Sequence, residues 1–117
     1  MSYIESFVLA VRKDRLEAYK QMARTVGPVF KEHGALAVVE CVGDDLPYGQ
    51  ATSFPRAVQA TEDEVVVLSW IVYASKADRD AINDKVIEDP RLADALADAP
   101  FDRKRMFDGC FKSFLEL

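Results

Sequence analysis

His33 is the only histidine in the chain. Histidine is the side chain whose ordinary pKa lies near neutrality, so His33 is a candidate general base or haem ligand. It also falls at the end of a helical stretch, where a histidine can instead bond the last carbonyls and complement the helix dipole. Nothing around it has metal-ligand spacing, which argues against zinc. Glu40 interrupts the apolar run Ala37-Val-Val-Glu-Cys-Val42. Pointed inward, its carboxyl would be desolvated and its pKa raised, making it an acid or base. On an edge strand it would reach water or pair with an arginine. Ser69, Trp70 and Tyr73 share one strand, with Trp70 and Tyr73 on opposite faces. One can line a pocket while the other meets a partner, and both also suit a packed core. His33, Glu40 and Tyr73 are therefore the candidate catalytic residues. Trp70, Ser69, Arg56 and Phe107 are the candidate ligand contacts.

Arg56 can hold a carboxylate through two parallel hydrogen bonds. With Arg103 and Arg105 it could form an anion site, or all three could be solvated or paired between subunits. Asp44 and Asp45 are adjacent in a turn, a weak cation signal better explained as turn chemistry. No metal site and no cofactor are expected. Cys41 and Cys110 are expected to be free thiols, with no neighbouring group that would make either a nucleophile.

The element that must position these groups is Glu64-Val-Val-Val-Leu-Ser-Trp-Ile-Val-Tyr73. Its β-branched and aromatic composition predicts a strand. Both of its faces are apolar, apart from Ser69, so both need cover. Tyr3 to Val11 predicts a second strand of the same kind, with Glu5 as its one acid. Lys13 to His33 predicts a helix carrying a stripe of Leu16, Tyr19, Ala23, Val26, Phe30 and His33. Asp14 and Glu17 have capping-box spacing, Gly27-Pro28 predicts a kink or break, and Gly34 a stop. Ala35 to Val42 is a strand. A connection of about 20 residues follows, with Thr52 to Ala60 partly extended and Pro55 at an edge. Such a length suggests either a functional loop or an arm packed on another subunit. Ser75 caps the next helix, whose Ala81, Ile82, Val86 and Ile87 face the core. Asp89-Pro90 opens a short second helix with Leu92, Ala93 and Leu96 inward. Met106 to Leu117 is the last strand, with Phe107, Phe111, Leu115 and Leu117 on one face.

The order β-α-β-β-α-β is the split βαβ pattern of α+β, ferredoxin-like folds. Its antiparallel sheet runs 4-1-3-2, which places the two strands with two apolar faces in the centre. Cys41 and Cys110 then lie on opposite edges, roughly 14 Å apart at about 4.8 Å per strand, beyond the reach of a disulfide.

The chain's 117 residues suit a single domain, residues 1–117, large enough for a real core. A net charge of −5 argues against nucleic acid, whose binding rests on Lys and Arg at phosphates. No apolar run approaches the roughly 20 residues of a spanning helix, and the N-terminal run lacks signal-peptide character. A cytoplasmic protein with no membrane partner is expected.

Several stretches together carry a resemblance: Phe7-Val-Leu-Ala-Val11, Lys31-Glu-His-Gly-Ala35, Val39-Glu-Cys-Val-Gly-Asp-Asp45, Thr52-Ser-Phe-Pro-Arg-Ala57, Leu68-Ser-Trp-Ile-Val-Tyr73, Asp89-Pro-Arg-Leu92 and Phe101-Asp-Arg-Lys-Arg-Met-Phe107. The sequence resembles a bacterial family of unknown function, the DUF1428 group, which looks like part of the dimeric α/β-barrel superfamily. The resemblance implies a homodimer formed through the sheet faces, with a pocket between the sheet and the helices of each protomer. It transfers no catalytic residue. The superfamily includes cofactor-independent monooxygenases, haem-degrading enzymes, lactone isomerases and ligand-sensing domains. The resulting expectation is a protein that binds a small organic molecule, with monooxygenase- or isomerase-like activity. The alternative is a non-catalytic homodimer of structural or stress-related role. Haem degradation rests on His33 alone.

Overall fold

Strands β1 (Tyr3–Arg12) and β3 (Glu64–Tyr73) pair antiparallel along their whole length, from Tyr3 opposite Tyr73 to Arg12 opposite Glu64. The computed structural model describes residues 1–117. β2 (Ala37–Val42) adds to the outer edge of β3 and β4 (Phe107–Lys112) to that of β1, giving the antiparallel order β2-β3-β1-β4. This is the 4-1-3-2 ferredoxin-like sheet read from the other edge.

Side chains alternate across a strand, and the register sorts them. Tyr3, Glu5, Phe7, Leu9 and Val11 share a face with Tyr73, Ile71, Ser69, Val67 and Val65, and with Val38, Glu40 and Val42 of β2. Helix α1 (Leu16–Glu32) and helix α3 (Lys76–Glu88) cover this face. Val29 of α1 and Ile82 and Val86 of α3 pack on Ile71 and Tyr73. Tyr19 packs with Leu9, Val11 and Val67. Helix α4 (Pro90–Leu96) contributes Leu92 beside the first of these clusters. No helix is long and apolar enough to cross a membrane.

The opposite face carries Ile4, Ser6, Val8 and Ala10, Val66, Leu68, Trp70 and Val72, and the edge residues Val39, Cys41, Phe107 and Phe111. Part of its cover comes from the chain itself. The connection from 43 to 63 folds back over one end of the face, and its Val58 is wholly buried against Val8, Ala10 and Val66, with Leu46 and Ala60 beside it. The rest stays open, with Phe107 46% and Phe111 60% exposed.

Several local expectations need correction. Asp14 does not cap α1, because Arg12 captures its carboxylate at 3.0 Å; the chain instead makes a 3-10 turn over Lys13–Arg15 before the α-helix begins. α1 runs unbroken through Gly27 and Pro28. Proline removes one backbone donor, but the packed apolar stripe holds the turn together. Gly34, at φ +120°, ends the helix as expected. β2 starts at Ala37 rather than Ala35. The connection is not extended over Thr52 to Ala60. It contains the short helix α2 (Phe54–Ala57), capped by Ser53 Oγ accepting from the Arg56 amide, with Pro55 in its first turn. β4 ends at Lys112, so Leu115 and Leu117 lie beyond it. Ala81, Ile87 and Ala93 face solvent. Ser75 and Asp89 cap α3 and α4. Cys41 and Cys110 are unpaired on opposite edges.

Candidate functional site

The helix-facing side of the sheet holds two polar centres. The first lies at the β2 edge. α1 passes beside β2, and between them runs a groove of about 670 Å³ lined by Tyr19, Ala23, Gly27 and Pro28 on one wall and Val38, Glu40 and Val42 on the other. Tyr19 Oη donates to Glu40 Oε1 at 2.7 Å. The apolar periodicity of α1 puts Tyr19 over the sheet, and a buried tyrosine hydroxyl needs a partner. Strand alternation turns Glu40 toward the helix to supply one.

Glu40 keeps contact with water on its edge strand. Even so, desolvation against the helix raises its carboxyl above the ordinary range, opposed by the hydrogen bond from Tyr19. Burial, the Glu40 charge and the bond to it all push the Tyr19 hydroxyl upward, so the phenol stays protonated. Glu40 Oε2 makes no hydrogen bond within the chain, which leaves one carboxylate oxygen for a ligand. The arrangement is a carboxyl that can take up or release a proton, oriented by a neutral donor and set against an apolar wall.

The second centre lies between β1 and α3. Glu5 is buried, and Arg79 Nη1 stands 3.6 Å from its Oε2. Burial raises the Glu5 carboxyl, partly offset by the Arg79 charge and by the polar groups of Asn83 and Tyr73 nearby. Tyr73, wholly buried, donates to Asn83 Oδ1 at 3.5 Å. Its hydroxyl is pushed up by burial and then by the Glu5 charge. Arg79 lies over the Tyr3 ring at 5.7 Å. Its buried Nε is 2.9 Å from Asp80 Oδ1 but too far off-line to form a hydrogen bond. Glu5 and Tyr73 lie in the packed interior beneath α3.

The structure does not gather the sequence candidates into one site. Glu40 lines the groove. Ser69 sits directly across from it on β3, buried on the same face. Tyr73 belongs to the second centre. His33 caps α1, and its Nε2 lies 3.2 Å from Asp89 Oδ2. Asp89 also binds Arg91, which in turn holds Glu32 at 2.6 Å. His33 thus ties α1 to the start of α4, away from Glu40. Trp70 and Phe107 point to the opposite face of the sheet. Arg56 fastens the connection. Its Nε and Nη2 donate to the carbonyls of Tyr48 and Gly49 at 2.9 and 3.1 Å, and its guanidinium stacks on the Tyr48 ring at 3.8 Å.

The three arginines form no anion site. Arg105 grips Glu64 through two bonds of 2.8 and 2.7 Å and also binds Asp102, while Arg103 donates to the Leu96 carbonyl. Their guanidinium groups are occupied by internal acceptors.

Sequence reasoning missed Tyr19, Glu5 and Arg79. Tyr19 could have been found as the one hydroxyl in the α1 stripe facing an inward carboxyl on β2. Glu5 was visible as the single acid on an otherwise apolar side of β1. Arg79 carried no comparable signal, because it lies in the polar first turns of α3.

The sequence profile described as "Protein of unknown function (DUF1428)" matches residues 2–103. The protein named "Uncharacterized protein YbaA" from Escherichia coli strain K12 is 48% identical over 116 residues, covering 99% of this chain and 99% of that protein. Among solved structures, a NIPSNAP family protein of unknown function from Agrobacterium tumefaciens superposes with a TM-score of 0.61 at 13% identity, covering 96% of this chain and 87% of the other. SnoaB, a cofactor-independent oxygenase from Streptomyces nogalater, superposes with a TM-score of 0.59 at 12% identity, covering 99% and 96%. At such identities these two likenesses show a shared fold. The profile match and the near-full-length relative make this chain a member of the DUF1428 family.

Proposed function

We propose that this protein binds a small organic molecule in the groove between α1 and β2, with Glu40 and Tyr19 as its polar anchor. The observation that carries this reading is the Tyr19–Glu40 pair, a proton donor and acceptor 2.7 Å apart in a concave, largely apolar site. Sites of this kind combine an apolar lining with a few converging polar groups. The reaction class the pair suits is proton transfer to or from the bound molecule. That serves an isomerisation, or an oxygenation in which an electron-rich substrate itself activates oxygen. The fold likeness to SnoaB is compatible with the second. The unpaired cysteines fit a reducing cytoplasm.

The exposed phenylalanines on the opposite face favour a second, compatible feature: a homodimer formed through the sheets. Without a groove ligand, the same dimer would be the whole function, as a structural module.

The test of the groove is a thermal-shift screen of small organic fragments on wild type and on Val42→Trp. Val42 is 40% exposed on the groove wall, and tryptophan suits a strand, so this variant fills the site without disturbing the fold. A ligand that binds only the native state raises the melting temperature. Fragments are expected to stabilise wild type and not Val42→Trp. Equal stabilisation of both proteins would contradict the reading.

A further inference from the structure

Lys20, Arg24, Gly27 and Lys31 recur at steps of four, three and four along α1, which aligns them on one side of the helix. All four line the groove. The chain as a whole is acidic, with 20 Asp and Glu against 15 Lys and Arg, so this is a local reversal of charge. The reversal is sharpened by how the charges are paired.

Arg12, Arg15, Arg79, Arg91 and Arg105 each face a carboxylate. Arg56 and Arg103 are bonded to backbone carbonyls. Arg24 alone among the arginines has no ion pair and no side-chain hydrogen bond within the chain. Lys20 has only the exposed Glu17, at 3.5 Å and one helical turn away, a contact worth little in water. Each acid of the groove already has one partner: Glu32 is bound by Arg91, and Glu40 accepts from Tyr19 through Oε1.

We infer that the groove selects organic carboxylates, with Arg24 and Lys20 receiving the anionic group and the apolar body lying on Ala23, Val38 and Val42. This rests on the small-molecule reading above and specifies its ligand class. A guanidinium can take both oxygens of a carboxylate in parallel bonds. Lys20, one turn away, adds a second positive charge on the same wall. The ligand's other end is left to Glu40 Oε2.

The experiment is a ¹H–¹⁵N correlation titration with two probes of the same shape, 2-naphthoate and its neutral counterpart 2-naphthalenemethanol. It uses wild type, Arg24→Gln and Arg24→Lys. 2-Naphthoate is expected to shift the amides of Ala23, Gly27 and Val38–Val42, and to bind about tenfold more tightly than the alcohol, a difference of about 1.4 kcal/mol. Arg24→Gln should abolish that preference, and Arg24→Lys should retain part of it. Equal binding of both probes at these amides overturns the charge selection and leaves the small-molecule groove standing. A preference that survives in Arg24→Gln overturns the role of Arg24. No shift at these amides with either probe overturns both readings.

Discussion

Glu5 and Glu64 are carboxylates held against guanidinium groups, yet they respond to pH in opposite senses. Burial dominates at Glu5 and raises its pKa above the ordinary 4.5. The folded chain then binds more protons than the unfolded one between that ordinary value and the raised one, so stability falls as pH rises through this window. At Glu64 the hydrogen bonds from Arg105 dominate and lower the pKa to about 2. Its contribution is present above 4.5 and is lost as pH falls toward about 2. Urea unfolding across a pH series should separate them. Glu5→Gln is expected to remove the loss on the rising side with little cost at neutral pH. Glu64→Gln is expected to cost about 1.5–3 kcal/mol at pH 7, the range for hydrogen bonds to charged groups, and to flatten the acid limb. At this scale the sequence was partly legible. An acid inside an apolar alternation marks itself, as Glu5 and Glu40 do. The partner that decides its pKa comes from a distant element, Arg79 or Tyr19, and no local pattern specifies it.

The elements show which sequence signals survive tertiary competition. The central placement of β1 and β3 followed from their two apolar faces, because only interior strands can cover both. The ends of elements were less legible where a neighbouring side chain intervened. Asp14 has the spacing of a cap but is diverted to Arg12. Ser53 followed by Pro55 is a helix-start signature that the proline alone had suggested was an edge strand. The connection from 43 to 63 is fixed by two devices, the burial of Val58 and the clasp of Arg56 on Tyr48 and Gly49. Arg56→Ala removes the clasp and leaves Val58 in place. Backbone amide exchange over residues 44–57 should then quicken while β1 and β3 stay as protected as in wild type. Loss of protection throughout the sheet would show that the clasp supports the whole fold and not the connection alone.

On the scale of the whole molecule, the sheet separates two roles. Its helix-covered side holds the groove and the buried polar cluster. Its other side is partly closed by the chain's own connection and otherwise presents Phe107, Phe111 and Trp70. We expect sedimentation equilibrium to give twice the 13.1 kDa chain mass, and Phe111→Glu to shift the population to monomer by placing a charge in the apolar interface. A wild-type monomer would remove the self-association claim without touching the groove. Ligand binding in the groove is tested by chemical-shift mapping of a mixed library of small organic fragments on the isotopically labelled protein. Hits are expected to cluster on the amides of residues 19–28 and 38–42 and to disappear in Val42→Trp. Hits confined to the face bearing Phe107 and Phe111, or unchanged in Val42→Trp, would show that the groove is not the binding site.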